Sequence, residues 1–225
     1  MKTAAYFGTR NVYDAMVPAV RSLIKNTSVE RVVLFIEDDR FPYALPEICE
    51  TRNLSGQTAF RKTGPNYSSK WTYMSMMRVA LPMLLPEEER VLYLDIDTIV
   101  RKDISELWDL LIGDKYFAAV REPAKSRPGF TYINEGVMMM NLEKMRDGLA
   151  KRMIDELNRH AWPCKEQDLY SEWCQGQFLL LPGDYNASNF TDDPDEIKIM
   201  HYAAIPLPVW YAEPEVQAYA ERREK

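Results

Sequence analysis

The sequence predicts an α/β fold in one domain, a mixed but mostly parallel sheet flanked by helices. Three observations carry that. Short apolar segments of strand length alternate with segments of helical period along the chain. Two of the strand segments, Val32-Val33-Leu34-Phe35-Ile36 and residues 90–94, are rich in buried-strand residues, the pattern of a strand covered on both faces. The chain has 225 residues, 46% of them hydrophobic and 28% charged, enough for one substantial core.

In chain order, residues 3–7 form a short strand. Residues 11–25 follow at helical spacing, with Val12, Ala15, Met16, Ala19, Val20 and Leu23 apolar, and Pro18 predicts a kink. After the strand at 32–36, residues 69–85 predict one long helix with Pro82 near its end. The strand at 90–94 comes next, then further strands at 116–120 and 136–141. Met138-Met139-Met140 belong to the last of these as core, because methionine fills irregular gaps. Residues 142–159 predict a charged amphipathic helix, and the prolines and charges of 191–196 predict a loop. No repeat or low-complexity linker divides the chain, so 1–225 reads as one domain.

Composition excludes several classes. The net charge is −6, and the longest basic cluster, Arg222-Arg223, is no footprint for nucleic acid. No run of about 18 apolar residues occurs, so no transmembrane helix is expected. Residues 1–8 are too short and mixed for a signal peptide, and a soluble cytoplasmic protein is the expectation. Cys49, Cys164 and Cys174 are odd in number and lack zinc-site spacing, which predicts packed free thiols.

The sharpest local feature is Val91-Leu92-Tyr93-Leu94-Asp95-Ile96-Asp97-Thr98, an apolar strand running into two carboxylates. In extended chain, residues i and i+2 project to one side with Cα atoms roughly 6.5 Å apart. One divalent ion bridges such a gap, and carboxylates are hard oxygen ligands suited to Mg²⁺ or Mn²⁺, ions that also hold substrate phosphates. Strand C-termini of open α/β sheets are where ligands bind. A solvated acidic turn is the bland alternative. The same residues also resemble the nucleophile motif of haloacid-dehalogenase-type phosphatases, in which the first Asp attacks phosphorus. That motif normally lies on an early strand, whereas about 90 residues of α/β chain precede it here, and its downstream partners are not found.

Several windows in order resemble glycosyltransferase family 8, the group that includes glycogenin and bacterial lipopolysaccharide galactosyltransferases. They are Tyr6-Phe7-Gly8-Thr9-Arg10-Asn11-Val12-Tyr13; Lys70, Tyr73 and Arg78 before Leu81-Pro82-Met83-Leu84-Leu85-Pro86; the Asp95-Ile96-Asp97 strand; Asn134-Glu135-Gly136-Val137; Glu166-Gln167-Asp168-Leu169; Leu181-Pro182-Gly183-Asp184-Tyr185-Asn186; and Lys198-Ile199-Met200-His201-Tyr202. The resemblance spans residues 4–201. It implies a GT-A-type, Rossmann-like domain, with a nucleotide-binding part about 1–100 and a sugar and acceptor part about 101–210. It implies a retaining hexosyltransferase that takes its sugar from a UDP-sugar and passes it to an unknown saccharide, lipid-linked or protein acceptor.

The resemblance also assigns roles. Thr9 and Tyr13 would contact the base or ribose, near an acidic group among Glu37, Asp38 and Asp39. Asp95, Asp97 and His201 would hold Mn²⁺ or Mg²⁺, with Ile96 between the carboxylates at the donor. Arg78 would face the donor sugar and phosphates. Asn134 and Glu166 would bind the donor sugar, with Gly136 admitting a close backbone approach. Gln167 would lie beside the anomeric carbon and stabilise an oxocarbenium-like centre, with Asp168 next to it as a catalytic candidate. Any of Trp71, Trp108, Trp162, Trp173 and Trp210 could stack on a sugar, though most are expected in the core or at interfaces.

Two positions depart from the family pattern. Ala204 stands at a glycine, and Leu207 at a lysine that would contact the diphosphate. Three consequences are open: Arg78, Arg121 or Arg127 compensates, the donor sits differently, or catalysis is slow or absent. The last makes a catalytically weak nucleotide-sugar-binding protein the alternative.

Overall fold

A computed structural model describes residues 1–68, 72–188 and 196–220. Lys70, Trp71, Arg222, Arg223 and all but the last residue of the 191–196 segment lie outside these residues. The strands are β1 (Thr3–Phe7), β2 (Arg31–Ile36), β3 (Cys49–Asn53), β4 (Arg90–Leu94), β5 (Thr98–Val100), β6 (Phe117–Arg121), β7 (Ile133–Asn141), β8 (Phe178–Leu181) and β9 (Ile199–His201). The helices are α1 (Tyr13–Asn26), α2 (Tyr73–Met76), α3 (Leu81–Leu84), α4 (Leu142–Met145), α5 (Leu149–Leu157), α6 (Lys165–Trp173), α7 (Leu207–Trp210) and α8 (Pro214–Gln217), joined in places by 3₁₀ turns.

Seven strands form one sheet in the order β3-β2-β1-β4-β7-β6-β8, with β7 alone running against its neighbours. Period-2 alternation splits the side chains between two cores. Ala5, Phe7, Val33, Phe35, Val91, Tyr93, Met138 and Met140 face α3, α5 and α6. Ala4, Tyr6, Val32, Leu34, Leu92 and Met139 face α1 and the turn carrying Leu107. The methionine triplet is thus core on both faces, and the expected mixed, mostly parallel sheet is what forms. A second sheet of two strands, β5 and β9, pairs Thr98 with His201 across an antiparallel ladder.

Two expected helices are broken. From Thr72 onward the 69–85 segment is α2, a 3₁₀ turn at Met77–Ala80, and α3. Pro82 gives no N–H to the carbonyl of Arg78 and crowds it, so the chain tightens to 3₁₀ geometry ahead of it. The 142–159 segment splits into α4 and α5 at Gly148, whose φ of 115° is left-handed. The Asp147 carboxylate then accepts from Leu149 N at 3.0 Å and starts α5. Helix α1, by contrast, runs through Pro18. The three cysteines are free. Among the described residues no helix is long and apolar enough to cross a membrane.

Candidate metal and donor site

Strands β1, β2 and β4 end on the same side of the sheet, and the reversed β7 begins there. The site is built on that edge. The chain does not stay extended past Leu94: residues 95–97 form a turn, closed by the Thr98 hydroxyl donating to Asp95 O at 2.7 Å. The turn leads into β5, and β5 pairs with β9, so His201 returns beside the two carboxylates. One ligand atom from each of Asp95, Asp97 and His201 lies within 4.8 Å of the others. His201 Nε2 is 3.2 Å from Asp97 Oδ1 and 3.7 Å from Asp95 Oδ2.

His201 is oriented from behind. Its Nδ1 is 2.8 Å from Asn186 Oδ1, and Asn186 Nδ2 donates at 2.9 Å to Asn134 Oδ1. Asn134 in turn donates to Glu122 at 3.2 Å. A proton on Nδ1 satisfies Asn186 and leaves the Nε2 lone pair facing the carboxylates, the tautomer a metal ligand needs. Gly136 makes room: a Cβ there would lie 2.1 Å from His201 Cε1. Burial opposes a charged imidazole, yet Asp97 and Asp95 outweigh it and raise the His201 pKa. Burial likewise opposes ionisation of Asp97, but His201 holds its carboxyl below the usual range. Two carboxylates and one imidazole form a donor set of hard oxygens and nitrogen that fits a divalent cation, which would take the place of the histidine proton.

Behind Asp95 lies Arg78, 3% exposed. It stacks on Tyr93 at 4.3 Å and reaches Asp95 at 3.2 Å, Glu166 at 3.3 Å and the Glu135 carboxylate at 3.6 Å. Its Nη1 also donates to the Glu135 carbonyl at 3.0 Å. The Tyr93 hydroxyl donates to Asp95. Burial pushes the Glu135 and Glu166 carboxyls up, against the pull of Arg78. Among the described residues one oxygen of each, Glu135 Oε2 and Glu166 Oε2, has no hydrogen-bond partner, and neither does the buried Tyr170 hydroxyl. Lys165, just before Glu166, holds a left-handed φ of 47°, an uncommon conformation for a side-chain-bearing residue.

Other expected site residues are placed as follows. Tyr13 donates to Asp38 at 3.0 Å and accepts from Glu37 N at 2.8 Å, while Tyr73 donates to Glu37 at 2.9 Å. Burial is the main reason the Tyr13 pKa rises to about 12. Thr9 is buried and donates to Asn11 at 2.5 Å. Ile96 packs on the apolar clusters on either side of it. Asp168 accepts from the Tyr132 hydroxyl at 2.5 Å and from Cys164 N at 2.8 Å, which ties it to the start of α6. Gln167, half-buried, lies on the first turn of α6. Arg127 stacks on Phe130 at 4.5 Å and Arg121 is exposed at the end of β6. Leu207 packs against the cluster of Ala15, Ile99 and Trp210.

Residues 5–207 match Glycosyl transferase family 8. The chain belongs to that family. Among its relatives is a protein named putative glycosyltransferase from Haemophilus influenzae, 26% identical over 64% of this chain and 46% of the relative. Another, general stress protein A of Bacillus subtilis, is 31% identical over 55% of this chain and 48% of the relative. The matches thus span about half the length of these curated relatives. The fold is similar to that of the galactosyltransferase LgtC, solved with donor and acceptor sugar analogs, with a TM-score of 0.71 at 16% identity over 99% of this chain and 98% of that one.

The sequence drew attention to most of these family 8 positions but missed the roles of Glu135, Asn186 and Tyr93. Asn186 and Glu135 lie inside matched windows, and a buried charge between Asn134 and Gly136 was the available signal. Tyr93 reads as one more apolar strand residue.

Proposed function

We propose that the protein is a metal-dependent, retaining hexosyltransferase that uses a UDP-sugar. The observation that carries this reading is the convergence of Asp95, Asp97 and His201, with the histidine tautomer set by Asn186. Those three side chains would hold Mn²⁺ or Mg²⁺. When bound, the ion supplies Lewis-acid stabilisation of a diphosphate leaving group. Thr9, in the turn after β1, and Tyr13, at the start of α1, would receive the uridine, with Glu37 and Asp38 following β2 beside them. Asn134 serves by holding Asn186, and through it His201. Gln167 would stabilise positive charge at the anomeric carbon as the leaving group departs, and retention gives an α-linked product. Membership of family 8 supports glycosyl transfer. The acceptor is a saccharide, a lipid-linked sugar or a protein.

Calorimetric titration of UDP with Mn²⁺, and again with EDTA, tests the reading. Metal-dependent binding that Asp97→Ala abolishes in folded protein is expected, and unchanged affinity in that variant would sink it. Leu207 favours a second reading, a nucleotide-sugar-binding protein with little turnover, because Arg78 is already enclosed by carboxylates and Leu207 is packed in an apolar cluster. Sensitive product detection separates the two: turnover lost in Asp97→Ala rules the second out.

A further inference from the structure

Lys125 and Cys164 bring two nucleophiles into contact outside the candidate metal ligands. Lys125 ends the short 3₁₀ turn Pro123–Lys125 in the connection from β6 to β7, and Cys164 is the residue before α6. Although 39 residues apart in sequence, the Lys125 ammonium donates to Cys164 Sγ at 2.8 Å. Tyr132 places the amine: Nζ is 3.4 Å from its hydroxyl and 4.6 Å from its ring centre. The same tyrosine places the thiol through Asp168. Its hydroxyl donates to Asp168 Oδ1 at 2.5 Å, and Asp168 Oδ2 accepts from Cys164 N at 2.8 Å. The three thiols differ in their surroundings. Burial pushes the Cys49 thiol up to about 11 and is the main reason that Cys174 rises to about 12. Neither ionises readily near neutral pH, and the thiolate is the form that oxidants attack. Cys164 is half-buried, stands at a helix N-terminus and has a cation against its sulfur, which are the surroundings of reactive cysteines.

An amine in contact with such a sulfur gives its oxidation a specific end. We propose that Cys164 and Lys125 are a modification site at which a peroxide drives a covalent nitrogen–sulfur bond, a sulfenamide, between the two side chains. Cys164 sulfur first attacks a peroxide oxygen: the O–O bond breaks, an S–O bond forms and water leaves, so that sulfur is oxidised to the sulfenic acid and the peroxide is reduced. The Lys125 amine, its extra proton released to solvent, then attacks the sulfenic sulfur. The N–S bond forms, the S–O bond breaks, and the oxygen leaves as water with a proton from nitrogen. One thiol, one amine and one hydrogen peroxide thus give one sulfenamide and two waters. Attack by an added thiol on the sulfur frees the amine again. The bond staples the β6–β7 connection to the first turn of α6, which carries Glu166, Gln167 and Asp168. It stands on the contact of Lys125 with Cys164 and does not depend on the UDP-sugar reading.

The test is peptide mapping of the full chain, reduced, freed of reductant and exposed to hydrogen peroxide. The expected product is a peptide pair joined through Lys125 and Cys164, with the summed mass less two hydrogens, that dithiothreitol separates. Cys164 is expected to lose its thiol at least about tenfold faster than Cys49 or Cys174. Lys125→Gln removes the amine at an exposed position, and Cys164 is then expected to stop at a sulfenic acid that dimedone traps, with no joined pair. A Cys164 thiol that survives as long as the other two overturns the reactivity assigned to it. Oxidation of Cys164 without a joined pair in the wild-type chain, or a pair that retains an oxygen, overturns the bond to Lys125. A pair formed equally well in urea-unfolded chain overturns the part given to the fold.

Discussion

The two ends of the same parallel strands handle buried charge in opposite ways. At the starting end of β1 to β4, Arg31 meets Glu50 and Glu88 at 2.7 Å and Glu87 at 2.9 Å. Arg52 shares Glu50 and Glu87 at 3.0 and 2.9 Å, and Thr3 donates to Glu88 at 2.9 Å. Each carboxylate in this lattice has a cation within hydrogen-bond reach. At the finishing end, three carboxylates crowd Arg78, two of their oxygens have no hydrogen-bond partner among the described residues, and Lys165 and Ala204 sit in left-handed backbone. The starting end ties four strands together. The finishing end holds unmet polar capacity and strain, which is where a ligand belongs.

The comparison is sharpest when each end is damaged separately. Arg31→Met keeps the apolar stem and strips the cation from Glu88, which is buried. Breaking a largely buried pair from one side costs about 3 kcal/mol. For a chain of this size that lowers Tm by roughly 10 °C. Thermal denaturation should show that loss while metal-dependent UDP affinity holds. A lost UDP site with an unmoved Tm would dissolve the division between the two ends.

Gly136→Ala attacks the other end. The new Cβ lands 2.1 Å from His201 Cε1, so the imidazole has to leave its place between Asn186 and Asp97. Displacing an oriented ligand lowers metal affinity by about 10–100-fold. Mn²⁺ titration reads this directly, and an unchanged Mn²⁺ affinity would remove His201 from the ligand set.

What the sequence made legible follows the same division. The core strands β1, β2, β4, β6 and β7 are apolar runs, and their pattern is local. The edge strands escaped. Cys49-Glu50-Thr51-Arg52-Asn53 carries charges because its outer side is wet, and β8, four residues long, follows the turn at Gly176. Both become strands only by pairing with a neighbour already in place. The candidate ligand cluster was readable because Asp95 and Asp97 are two residues apart in sequence and His201 lies in a matched window. Its support was not. The chain from Glu122 through Asn134 and Asn186 to His201 joins three distant segments, and no local pattern announces it. Gly136 was read as clearance for a sugar, and the structure puts the His201 ring against it.

The smallest effect concerns Ala204, which follows β9 and stands where the family resemblance leads one to expect a glycine. Its φ of 63° is left-handed, and the turn is closed by Ile205 N donating to Tyr202 O at 3.0 Å. The chain has therefore kept the turn that glycine would make and bears the steric cost of a Cβ. That cost is roughly 1 kcal/mol, partly offset because glycine is freer when unfolded. Ala204→Gly is expected to raise Tm by about 2 °C. It leaves His201 and the metal site unchanged, since the backbone already has the required shape. A fall in Tm would mean that the alanine methyl contributes packing that outweighs the strain. The altered glycine position would then be an adaptation of this turn, and the missing lysine at Leu207 would stand alone as the departure that bears on donor binding.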